Sequence, residues 1–191
     1  MKKILLGIVL LVLLGIAGGV WWVYRSLDSQ VAAAIRTYGP EIAGVPVSLS
    51  SVKIGLANGS VALRGLVVGN PKGFKTEHAL SLGEISMRLD TGSLTTGVIQ
   101  IKEISIVKPD VTYEYASDGN NLDVIQRNIK RYVAKHLGGT SGSKSTEPGK
   151  KFIIEHIDIT NGTANVSAAI LSGKTISVSL SDLHLKDIGK N

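Results

Sequence analysis

The sequence predicts a mainly β protein of the α+β kind: an N-terminal transmembrane helix, then a curved antiparallel β-sheet or groove carrying two amphipathic helices. Three observations lead there. Between Val45 and Tyr115 apolar and polar residues alternate, and turn signals recur at Asn58-Gly59, Asn70-Pro71-Lys72-Gly73, Asp90-Thr91-Gly92 and Pro109-Asp110. That is the pattern of a β-meander with one buried face. The alternation also skips at matching places: Leu49 to Val52, Leu82 to Ile85, Ile101 to Ile104 and Leu180 to Leu183. A skip sends later side chains to the opposite face unless a bulge absorbs it, so the strands are long and twisted, with a bulge or a change of buried face midway. A β-sandwich whose strands cross between two sheets would share this pattern. The third observation is a long uncharged run at the N-terminus.

Residues 1–25 form the expected anchor. Lys2 and Lys3 precede 21 uncharged residues, Ile4 to Tyr24, enough at ~1.5 Å per residue to cross roughly 30 Å of hydrocarbon. Trp21, Trp22 and Tyr24 make an aromatic belt and Arg25 a charged stop. The lysines favour a cytoplasmic N-terminus, with the body on the other side. A cleaved signal peptide ending at Gly15-Ile16-Ala17 competes, and the apolar run through Val23 argues against it.

Residues 26–137 hold a first helix, the meander and a second helix. In the first, Ser26 to Gly39, Leu27, Val31, Ala34, Ile35 and Tyr38 recur at helical spacing, and Gly39-Pro40 supplies the stop. Asn120 or Asn121 caps the second, Leu122 to Leu137, striped by Leu122, Ile125, Ile129, Val133 and Leu137. Its basic residues lie off that stripe, so it either packs on the sheet or lies on an anionic membrane. Residues 138–150, GGTSGSKSTEPGK, read as a flexible linker. Residues 151–191 resume as strands extending the sheet, with turns expected at Asn161-Gly162 and Ser172-Gly173. Val52-Lys53-Ile54 before Asn58-Gly59 is echoed by Ile157-Asp158-Ile159 before Asn161-Gly162, which hints at a repeated hairpin unit.

The formal charge of +6 is local. From Arg127 to Lys151 seven basic residues face Glu147 alone, and the remainder of the chain is neutral. The basicity belongs to one helix and the linker, not to a nucleic-acid surface. Cysteine is absent, which excludes disulfides, thiolate metal sites and a cysteine nucleophile. His78, His136, His156 and His184 are scattered without metal-ligand spacing, and Asp182 with His184 offers two ligands but no third. No nucleophile elbow or phosphate-binding glycine loop occurs, so neither an enzyme, a metal nor a cofactor is expected.

In the order YGPEIAGVPVSLSSVKIGLANGSVALRGLVVGNPKGF, then IVKPDVTYEY with NNLDVIQRNI, then IIEHIDITNG, the chain resembles the AsmA-like bacterial envelope proteins over about residues 28–188. The resemblance implies a single-pass inner-membrane anchor with a periplasmic body. It also implies distant kinship to chorein-type bridge-like lipid-transfer proteins, whose curved sheets form an apolar groove for acyl chains. The chain is short for that family and fits a groove unit or two. The expected function is therefore binding or handing over of lipid acyl chains, phospholipid foremost, in envelope lipid homeostasis. The alternative is a structural protein that pairs its sheet edge with an envelope partner or another copy. Groove candidates are the residues after each skip, Val52, Ile54, Ile85, Met87, Ile104, Ile106, Leu183 and Leu185, in preference to their counterparts before it. One phase of each strand is expected to face the groove and the other the outer surface or the helices; an ordinary packed core is the competing reading. Lys2, Lys3, Trp21, Trp22, Tyr24 and Arg25 are the membrane-interface candidates.

Overall fold

The computed structural model describes residues 26–117, 119–136, 151–168 and 174–190. The expected anchor over 1–25, the linker over 138–150 and the turn at Ser172-Gly173 lie outside the described residues, within which no helix is long and apolar enough to cross a membrane.

Helix α1 covers 26–43 and runs through the expected stop at Gly39-Pro40. Gly39 is instead a point of close approach, since a Cβ there would lie 3.0 Å from Val47 Cγ1. The helix ends at Gly44, whose φ of 67° suits only glycine comfortably and whose N–H bonds the Pro40 carbonyl at 2.9 Å. Helix α2 spans Asn121–His136. Asn120 caps it, accepting from the Asp123 N–H at 2.8 Å and donating to the Asp123 carboxylate at 2.6 Å.

The strands form one sheet, curved and open, rather than a sandwich. β1 (Val47–Ser48) and β2 (Ser51–Gly55) both pair antiparallel with β3 (Ser60–Val68). β3 pairs with β4 (Leu80–Leu89), and β4 with β5 (Val98–Ala116), again antiparallel. The short β6 (Gly119–Asn120) folds back on the end of β5. β7 (Lys151–Thr160) and β8 (Thr163–Ala168) then pair with successive halves of β5, and both run parallel to it. β9 (Ile176–Ser179) pairs antiparallel with β8, and β10 (Leu183–Ile188) with β7.

The sheet is thus mixed, not antiparallel throughout. Between β5 and β7 lie α2 and the residues after it, a crossover long enough to return the chain to its starting end. Two expected turns are corrected with it. Asn161-Gly162 does not reverse the chain: β7 and β8 continue in one direction, so the hairpin made at Asn58-Gly59 has no repeat there. Pro109-Asp110 lies inside β5. Proline fits this central strand because β7 has ended opposite Val107 and β8 begins opposite Asp110, so no ladder bond is required of it.

The interruptions share a cause. Following the register strand by strand, Ser50, Gly65, Gly83, Lys108, Asn161 and Ser181 fall in one line across the sheet, and regular pairing lapses at each. Gly65, Lys108 and Asn161 have φ of 61°, 51° and 56°. This line is a crease. Left-handed residues break the two-residue alternation, which is why the apolar pattern skips from Leu49 to Val52, Leu82 to Ile85 and Leu180 to Leu183. A second crease follows Lys102, Glu155 and Asp187. There the β4–β5 register shifts between Arg88 and Leu89, pairing lapses in β5–β7, and Asp187 takes φ of 59°. It accounts for the skip from Ile101 to Ile104.

The Asn70–Thr76 turn is latched to the end of β5. Glu114, fully buried, accepts from the Lys75 N–H at 2.9 Å, the Thr76 N–H at 2.8 Å and Thr76 Oγ1 at 2.7 Å. Burial works against its charge, but these donors outweigh it and hold the carboxyl below its ordinary value of 4.5. Asn121, also buried, accepts from the Glu114 N–H and donates to Asn70 Oδ1 and the Thr112 carbonyl, tying turn, strand and helix together.

Candidate functional site

Residues paired directly across a ladder point to the same face. Two rows therefore cross the whole sheet between the creases. One is Val52, Leu63, Ile85, Ile106, Ile159 and Leu183; the other is Ile54, Val61, Met87, Ile104, Ile157 and Leu185. All eight groove candidates stand on these rows. Leu63, Val61, Ile159 and Ile157 complete them and are not among the groove candidates, although Ile157 and Ile159 stand in the segment that echoes Val52-Lys53-Ile54. The Asn58-Gly59 hairpin could have supplied the first two. The last two needed the parallel pairing of β7, for which the sequence has no local signal.

Beyond the first crease the apolar residues continue as Val47, Val68, Leu80, Val111, Ala164 and Val178. The two sides of the crease share a face. Leu49 and Val52 are buried in one cluster with Ala32 of α1, and Ile54, Val61, Leu63 and Leu66 pack against it. Of the two places expected for the phase before each skip, the outer surface or the helices, Val47, Leu49 and Val68 take the second; the crease absorbs the skip and keeps both phases on one face.

Cover is uneven. α1 lies over the β1–β3 end, where Val52 is 5 % exposed and belongs to the core. Leu122 and Ile125 of α2 cover the corner near Ala43, Val45, Ala79 and Val68. Ile85, Met87, Ile104 and Ile106 are half-buried, and toward the other edge Leu185 is 40 % and Leu183 44 % exposed. On β9, Ile176 reaches 68 %. A continuous apolar strip therefore emerges from beneath the helices and is open at its far side.

The opposite face is polar. Lys53, Ala62, Ser86, Ser105, Asp158 and His184 form its middle row, with ion pairs at Arg64–Glu84 (2.6 Å) and Arg88–Glu103 (2.8 Å) and a hydrogen bond between His184 Nδ1 and Asp158 Oδ1 (2.5 Å). The Asp182 and His184 pair considered as metal ligands is divided: Asp182 accepts from the Asn161 N–H and His184 meets Asp158. Among the described residues no three metal-ligating side chains converge.

The two sheet edges differ as much as the two faces. On the β1–β2 edge, Asp28 Oδ1 accepts from the Ile54 N–H at 2.8 Å, while Arg36 donates to the carbonyls of Leu49 (2.9 Å) and Ser50 (2.8 Å). These side chains of α1 occupy backbone groups that a further strand would need. Every residue of β9 and β10 is exposed, and no described element pairs with their outer side. In comparisons with known proteins, no family model and no curated protein sequence matches the chain.

Proposed function

We propose that this chain is a membrane-tethered envelope protein that holds or hands over lipid acyl chains on the apolar face of its sheet. The observation that carries the reading is the pair of apolar rows spanning every strand path, opposed by an ion-paired polar face and covered by helices at one end only. Such a strip, wide enough for methylene chains and short of polar side chains, suits a lipid tail. The resemblance to AsmA-like proteins and the uncharged N-terminal run support the setting: an inner-membrane anchor through residues 1–25, with Lys2 and Lys3 on the cytoplasmic side and the body in the periplasm.

Native mass spectrometry of the full-length protein, extracted in a mild detergent, tests this directly: bound phospholipid is expected. Ile104→Glu and Met87→Glu place a carboxylate in the middle of the strip and should cut bound lipid several-fold while the fold is retained. Folded variants with unchanged lipid reject the site. Variants that both unfold make these rows a packed core instead.

A further inference from the structure

The open edge has an internal symmetry. The two creases cross it at Ser181 and Asp187, and the five residues between them, Asp182 to Lys186, are centred on His184. We propose that the β10 part of this edge is completed by a second copy of the chain, β10 pairing antiparallel with β10 of the other copy about a twofold axis at His184, with β9 outside the new ladder. In that register Leu183 stands opposite Leu185 of the second copy, Leu180 opposite its Ile188, and Asp182 opposite its Lys186. Each copy's crease at Ser181 meets the other's at Asp187, so the irregularities coincide and the ladder is regular between them. Neighbouring registers fail: centring on Leu183 sets Ser181 against Leu185, and centring on Leu185 sets Leu183 against Asp187. Lys186 makes no ion pair within its own chain among the described residues, which leaves it for Asp182 of the other copy.

The sealed edge makes the pairing isologous. α1 occupies the β1–β2 edge through Asp28 and Arg36, so the open edge of one copy has only the open edge of another to meet. The product is a pair whose apolar faces join on one side and whose polar faces join on the other. This holds whether or not the strip carries lipid.

The chain has no cysteine, so introduced thiols report register cleanly. In the full-length protein, Leu183→Cys and Leu185→Cys are expected to cross-link when the two variants are mixed and oxidised, because directly paired Cβ atoms lie about 5 Å apart, near disulfide reach. Each variant alone should cross-link weakly, and Lys53→Cys, beside the sealed edge, not at all. Asp182→Lys should raise the dimer Kd about tenfold by opposing like charges at two symmetric places, and adding Lys186→Asp should restore it. A monomer by native mass at micromolar concentration overturns the proposal. So does cross-linking as strong in each variant alone as in the mixture, or a charge swap that fails to rescue. Capture of a different protein at positions 183 and 185 assigns the edge to that partner and overturns it equally.

Discussion

Glu114 and Gly65 show what single residues contribute. Glu114 is read in the sequence as one more polar residue in an alternating strand, yet it anchors the turn from Asn70 through three donors. Its folded pKa lies below the ordinary 4.5. The stabilisation is therefore complete above that ordinary value and is lost as pH falls through the folded one. Glu114→Gln is expected to cost about 1–3 kcal/mol at neutral pH, because an amide presents donors to donors. Melting temperatures between about pH 6 and pH 3 should fall more steeply for the native chain than for the variant; parallel profiles would show that this carboxyl does not titrate with unfolding. Gly65 sits on the first crease with φ of 61°, where an added Cβ would overlap Ser50 Oγ. Gly65→Ala should lose about 1–2 kcal/mol to the left-handed backbone alone, before the overlap is counted. Denaturant unfolding measures it, and an unchanged midpoint would mean that the crease yields freely.

Among the elements, what was legible in the sequence is what depends on neighbours in the chain. The alternation between Val45 and Tyr115 locates the strands, and the skips locate both creases to within a residue or two. Asn120 and the Leu122–Ile125 stripe locate α2. What was not legible depends on residues far apart. Asn161-Gly162 has hairpin chemistry, but the same left-handed Asn serves a kink when the strand on its flank is already creased at Lys108. Gly39-Pro40 looks like a helix end, yet α1 needs Val47 against Gly39 and finds its left-handed cap only at Gly44. The eight groove candidates lie after a skip, six beyond the first crease and Ile104 and Ile106 beyond the second, and they share two rows because those rows fill the space between the two creases. That the earlier phase meets the helices rather than the outer surface was not legible, because a local pattern cannot tell a bulge that reverses the face from one that preserves it. Nor could Arg36 be seen as an edge seal, since its partners are the backbone carbonyls of Leu49 and Ser50, in the break between β1 and β2.

At the scale of the whole molecule, β5 is the axis: one side carries the β1–β4 half, the other the β7–β10 half, and α2 sits in the crossover between. That parallel join imposes an order on synthesis. When residues 26–116 have emerged, one flank of β5 can pair with β4, but each partner on its other flank stands 53 positions further along the chain than the β5 residue it pairs with. Loop closure must precede any gain from that pairing, so the first half waits with a long bare strand, Val98–Ala116, rich in isoleucine and ready to join any other unpaired strand. A fragment of residues 26–150, freed of the uncharged N-terminal run, is expected to aggregate or remain bound to a holdase, and residues 151–191 supplied as a separate peptide should recover soluble sheet. A soluble, monomeric 26–150 fragment would show that β5 needs no second neighbour. The crossover thus sets a vulnerable interval between the arrival of the two halves, and whatever shields the growing chain has to span it.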